Sequence, residues 1–264
     1  MKRLRKQGGF TLIETISVLV ILGVLAAVGS HFLVTTVDAY SLAEKRAKLL
    51  VRGRASIEQM TRQLRLAVPN SLRVSPSGAC VEFLPLVAGG NYLNALPDSE
   101  NSAPASASIA TAPIISGLGS ANHVIVGGLS ANEIYSGASP SARVGFGAFN
   151  GAPATQITLA SSHRFIRNSP TRRVFVSDNP KRFCVQASSL LEYSNYGLDA
   201  GSLDDSNPGG VTTLMALNVS AAGNAFILSP GSEDRNASIA IALNYSSGDE
   251  VITLNQTVLV RNVP

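Results

Sequence analysis

Glu14 is the first residue of this 264-residue chain whose chemistry asks for an explanation, because 23 residues without a formal charge follow it, from Thr15 to Val37, apart from protonation of His31. A carboxylate beside so apolar a run is costly and needs a partner or a task. Cys80 and Cys184 are the second candidate pair, each within an apolar string (Ala79-Cys80-Val81-Glu82-Phe83 and Arg182-Phe183-Cys184-Val185-Gln186). In an oxidising compartment an even pair favours a disulfide; otherwise the two read as buried free thiols. A bridge over so long a loop would contribute up to about 4.7 kcal/mol in the chain-entropy model.

Catalytic chemistry is sparsely provided. A covalent catalyst needs a nucleophile, a base and an orienting group. The histidines are His31, His123 and His163, and the first lies inside the apolar run. The chain has no G-x-S-x-G, no P-loop, no C-x-x-C and no histidine pair at zinc spacing. Asp204-Asp205 and Asp249-Glu250 read as exposed turns. Asp199 to Asp205 offers oxygens to calcium without the EF-hand order, so no metal site is assigned, and no cofactor either. Asn218, Asn236, Asn244 and Asn255 head N-x-S/T sequons that read as coincidental.

The charge distribution removes another class. The formal charge is +4, and residues 1–9 carry all of that excess as Lys2, Arg3, Arg5 and Lys6. Residues 38–65 hold seven basic and three acidic side chains, and residues 66–264 hold ten basic and thirteen acidic. Without the first nine residues the chain is formally neutral, so its basic pI argues for no nucleic-acid partner.

The elements that must position these groups follow from periodicity. The uncharged run is long enough to span a bilayer. The basic cluster before it should stay cytoplasmic, with everything after Val37 on the far side, since long trailing domains cross largely regardless of their charge. A cleaved signal peptide, with Ala27-Val28-Gly29 as its cleavage site, and a generic anchor both leave Glu14 unexplained. Proline is absent from Phe10 to Val68 and Pro69 follows, so one helix is expected over those 59 residues. Tyr40, Ala43, Ala47, Leu50, Ile57, Met60, Leu64 and Val68 form a stripe that should lie on a globular domain, while Gly23, Gly29 and Gly53 are candidate bends.

Beyond Pro69 short β-like runs alternate with turn residues. Strands are expected at 71–74, 80–84, 123–126, 156–159, 173–177, 182–186, 190–193, 212–219, 225–228, 238–245 and 251–260, with a Ser/Ala/Gly-rich, loop-rich excursion over 101–142. The fold class is α+β: a long N-terminal transmembrane and stem helix packed on a C-terminal antiparallel β-sheet domain. Its parts are a leader (1–9), a membrane or filament-core helix (10–37), an amphipathic stem (38–68) and a β-rich extracytoplasmic domain (69–264).

The string Gly8-Gly9-Phe10-Thr11-Leu12-Ile13-Glu14 resembles the type IV prepilin signature. The resemblance implies cleavage after Gly9 by a membrane-embedded prepilin peptidase, N-methylation of Phe10, and pairing of Glu14 with the Phe10 ammonium of a neighbouring subunit. Pairing two buried charges offsets part of a desolvation cost that neither could bear alone. Weaker patches, at 62–71, 80–85, 173–185 and the ending 258–264, resemble minor pilins of mannose-sensitive haemagglutinin (MSHA) pilus biogenesis. In related minor pilins and pseudopilins the globular part is antiparallel β packed on the helix. The implied partners are the peptidase, major and minor pilins, inner-membrane lipid and the pilus assembly machinery. The implied location is the inner membrane, then an extracellular pilus, and no catalysis is expected. Other readings are a minor pseudopilin of type II secretion, a minor pilin of a twitching pilus, or a membrane-tethered adhesin or enzyme.

Overall fold

The computed structural model describes residues 9–115, 119–137, 139–231 and 236–260. The basic cluster Lys2 to Lys6, Gly8, part of the 101–142 stretch and the ending Arg261 to Pro264 lie outside the described residues. In chain order the elements are α1 (Leu12–Arg65), β1 (Arg73–Val74), β2 (Cys80–Phe83), β3 (Leu86–Asn91), β4 (Ser106–Ile114), β5 (His123–Ile125), α2 (Ala131–Tyr135), β6 (Arg143–Phe149), β7 (Ala154–His163), β8 (Arg173–Ser177), β9 (Lys181–Gln186), β10 (Ser189–Ser194), β11 (Val211–Leu217), β12 (Val219–Ser229), β13 (Ala237–Ser247) and β14 (Glu250–Val260). This is the α+β arrangement expected, a long N-terminal apolar helix followed by antiparallel sheet. The chain divides into two compact units, Met1–Lys48 and Leu49–Pro264.

In the first unit α1 is apolar on every side from Thr15 to Val37. Its most apolar 18-residue window has a mean hydropathy of 2.4 and none of it is buried, which makes the helix long and apolar enough to cross a membrane. Its serine and threonine hydroxyls are bonded back to the helix, Ser17 Oγ to the Ile13 carbonyl at 2.8 Å and Thr36 Oγ1 to that of Phe32 at 2.7 Å. Such bonds satisfy those donors where the surrounding is apolar.

In the second unit the remainder of α1 buries one face. Leu49, Gly53, Ile57, Met60 and Leu64 recur at three- and four-residue spacing and share a core with Phe83, Phe183, Ile241 and Tyr245. The stripe differs from expectation at its N-terminal end: Tyr40 is 73% exposed, Ala43 and Ala47 are exposed, and Leu49 replaces Leu50. Gly53 is a packing residue, because a Cβ there would sit 2.5 Å from Leu254 Cδ1 and 3.1 Å from the Tyr245 ring. One turn on, Ser56 Oγ and Tyr245 Oη lie 2.7 Å apart. The helix stops at Arg65, three residues before the expected Val68, because the Val68 N–H is turned to the Leu84 carbonyl (2.8 Å) and Ala67 bridges Pro85.

Three antiparallel sheets follow, ordered β1-β2-β9-β10-β11, β12-β13-β14 and β3-β8-β5-β6-β7-β4. The strict alternation Ile239, Ile241, Leu243, Tyr245 buries one face of β13. The 212–219 run divides into two strands at Asn218, whose φ of 56° breaks the extended backbone. The 101–142 stretch is more structured than a loop. It contributes β4, with Ile109 and Ile114 buried, and α2, with Ile134 and Tyr135 buried. β3 and β6 also lie outside the expected strands. Their glycines serve close approach: a Cβ on Gly90 would meet Ile114 Cγ1 at 2.6 Å, and one on Gly147 would meet the Thr158 carbonyl at 2.9 Å.

Candidate functional site

Gly9 and Phe10 precede the first helical residue, Leu12. Nothing lies within 4 Å of where a Gly9 side chain would be, and Phe10 is 81% exposed. The helical bonding starts at Thr11, whose carbonyl accepts from the N–H groups of Glu14 (3.1 Å) and Thr15 (3.2 Å). The Gly9–Phe10 bond is therefore outside the hydrogen-bonded helix, and both residues are exposed among the described ones. Glu14 sits in the first helical turn, where a carboxylate complements the unpaired N–H groups. It is exposed, and among the described residues none pairs with it.

A family model described as the prokaryotic N-terminal methylation motif matches residues 4–30. The chain carries a prepilin-type N-terminus. No curated protein and no solved structure matches it. The motif indicates a type IV pilin-like or pseudopilin-like precursor, which implies processing by prepilin peptidase and association with pilins. It suggests a structural subunit, and together with the apolar helix it fits membrane anchoring.

In the globular unit of this prepilin-like chain Cys80 and Cys184 are bonded, and they face each other directly across β2 and β9. Side chains two residues apart in a strand share a face. The same register therefore sets Glu82 opposite Arg182, and the β1/β2 register sets Arg73 opposite Glu82. Glu82, with its side chain 1% exposed, accepts from Arg73 Nε (2.8 Å), Arg182 Nε (3.1 Å), Arg182 Nη2 (2.9 Å) and the Tyr196 hydroxyl (2.9 Å). The Arg73 guanidinium also lies 3.8 Å from the centre of the Tyr135 ring. Burial first, and then the Glu82 charge, pushes the Tyr135 and Tyr196 phenols well above their ordinary range, so both stay protonated.

These two arginines fasten the loop after β10 over the sheet. Arg73 donates to the carbonyls of Gly201 (2.7 Å) and Asp199 (3.0 Å), Arg182 to that of Ser206 (2.9 Å), and Gln186 to that of Asp205. Within the stretch weighed above for calcium, the Asp199 and Gly201 carbonyls are thus engaged with the Arg73 guanidinium. Asp199 and Asp204 carboxylates accept from Gly201 and Ser206 within the same loop. Among the described residues no group of three or more His, Cys, Asp or Glu side chains could hold a metal ion.

The histidines have different surroundings. His31 is exposed on α1, His163 Nε2 lies 3.0 Å from the Ser141 carbonyl, and His123 Nε2 lies 3.2 Å from Asn179 Oδ1. Burial, with Arg143 adding to it, lowers His123 to about 4. The charge cluster escaped the sequence reading although its signal was present. If the two cysteines pair across antiparallel strands, Glu82 and Arg182 must face each other two residues away.

Proposed function

We propose that this chain is a minor pilin, a structural subunit cut after Gly9 by prepilin peptidase, methylated on Phe10 and built into a type IV pilus of the MSHA kind used for surface attachment. The leader stays in the cytoplasm, α1 crosses the inner membrane, and residues 69–264 lie outside it until the subunit enters the filament. There Glu14 pairs with the Phe10 ammonium of a neighbour, and the uncovered apolar side chains of α1 pack against those of other subunits.

The observation that carries this reading is Glu14, unpartnered among the described residues and placed four residues after Phe10 at the head of an unburied apolar helix. A carboxylate at the head of an apolar helix is costly to bury unpaired, and the Phe10 ammonium of a neighbouring chain is the cation that this reading brings to it. The MSHA assignment has separate support in the patches at 62–71, 80–85 and 173–185. Deleting the gene should reduce the number of surface pili, and sheared filaments of the parent strain should contain the processed chain. Unchanged pili from which the chain is absent would overturn the proposal, and a selective loss of protein secretion would assign the subunit to a secretion machine instead.

A further inference from the structure

Among the described residues, the outer edge of β14 has no strand partner and lies beside Arg54 and Arg65 of α1. β14 is the outermost strand of β12-β13-β14, and its half-buried Leu254 and exposed Gln256 border the flank of α1. Between them runs a groove of about 450 Å³ whose apolar floor is Ile57 and Leu254 and whose rim carries Arg54, Glu58 and Arg65. Glu58 has Arg62 at 4.0 Å, whereas Arg54 and Arg65 make no ion pair among the described residues. Thr61 Oγ1, buried in the same wall, has no hydrogen-bond partner there.

We propose that this groove is a docking site for an extended, acidic segment of a different protein, which adds to β14 as a fourth strand and sets its carboxylates on Arg54 and Arg65. An open edge offers backbone donors and acceptors to an extended chain and to little else. The two unpaired guanidinium groups select carboxylates, which they bind bidentately. Among its described strands, a second copy of this chain offers none that is acidic and free to pair. Its described strand carboxylates are Glu82 and Glu192, both held in internal ion pairs, and Glu250, which opens β14 itself. That the other protein is a fellow filament subunit rests on the proposed function; the chemistry of the groove does not.

The test is photo-crosslinking in the native host, using the full chain with benzoyl-phenylalanine in place of the exposed Asn255 or Gln256. The linked peptide should be acidic and come from another protein. Arg54→Glu with Arg65→Glu should cut the yield about tenfold or more, while Arg54→Lys with Arg65→Lys retains most of it. A link to lipid, to a second copy, or to a neutral or basic segment overturns the proposal, as does no link or a yield unmoved by charge reversal. The composition of the linked peptide is read with both arginines intact, so it decides the matter even if the reversed variant fails to fold. The chain's own N-terminus is read in the same sample. An uncut chain that still links an acidic segment contradicts the pilin reading alone, and a cut chain that links none contradicts the docking site alone.

Discussion

Glu82 ties β1, β9 and the loop after β10 together, because one carboxylate holds two guanidinium groups and a phenol in a buried site. Removing one member of a buried ionic group leaves the others charged and unpaired, at about 3–5 kcal/mol. Glu82→Gln should lower the unfolding free energy by about that much, read by urea titration of the oxidised full chain in detergent. His123 supplies a pH dependence of its own. Its value in the folded chain, about 4, lies below the 6.5 of an unperturbed histidine, so the unfolded chain binds more protons between those limits. This contribution is complete above pH 6.5 and is lost as pH falls towards 4. The stability difference between the parent and His123→Gln should therefore shrink over that window, and a constant difference would contradict it. Neither residue declared its role through type alone. The place of Glu82 follows from a disulfide register, and the shift of His123 follows from burial that no local pattern encodes.

At the scale of elements, the helix-to-sheet seam is the joint most sensitive to volume. Gly53→Leu should destabilise the full chain by about 1–3 kcal/mol or more, because its side chain must displace Leu254 and the Tyr245 ring. Thermal unfolding in detergent reads that loss, and an unchanged midpoint would mean that β14 moves aside freely. Gly53 read from sequence as a candidate bend; its packing role depends on Tyr245 and Leu254, far away in the sequence. The strands rich in branched residues, such as β8 and β13, were legible because their alternation is local. β3, β4 and β6 were not, since Gly, Ala and Ser give weak alternation and become strands through the partners that cover them. β4 shows this best, with Ile109 and Ile114 as its only large buried residues.

For the whole molecule, the division of labour follows from where apolar surface is covered. The globular unit buries its own core in three sheets and along one face of α1, whereas the first unit leaves Ile16, Leu19, Val20 and Leu25 bare. A helix of that kind needs lipid or like helices around it. The apolar helix, the lone Glu14 and the Gly9-Phe10 pair were all readable from the first forty residues, because they depend on composition and order rather than on tertiary contacts. Mass spectrometry of the chain's N-terminus, isolated from membranes of a peptidase-competent host, tests this account most directly. The account predicts a chain that starts at N-methylated Phe10. A chain that keeps Met1, or one cut after Gly29, would contradict it.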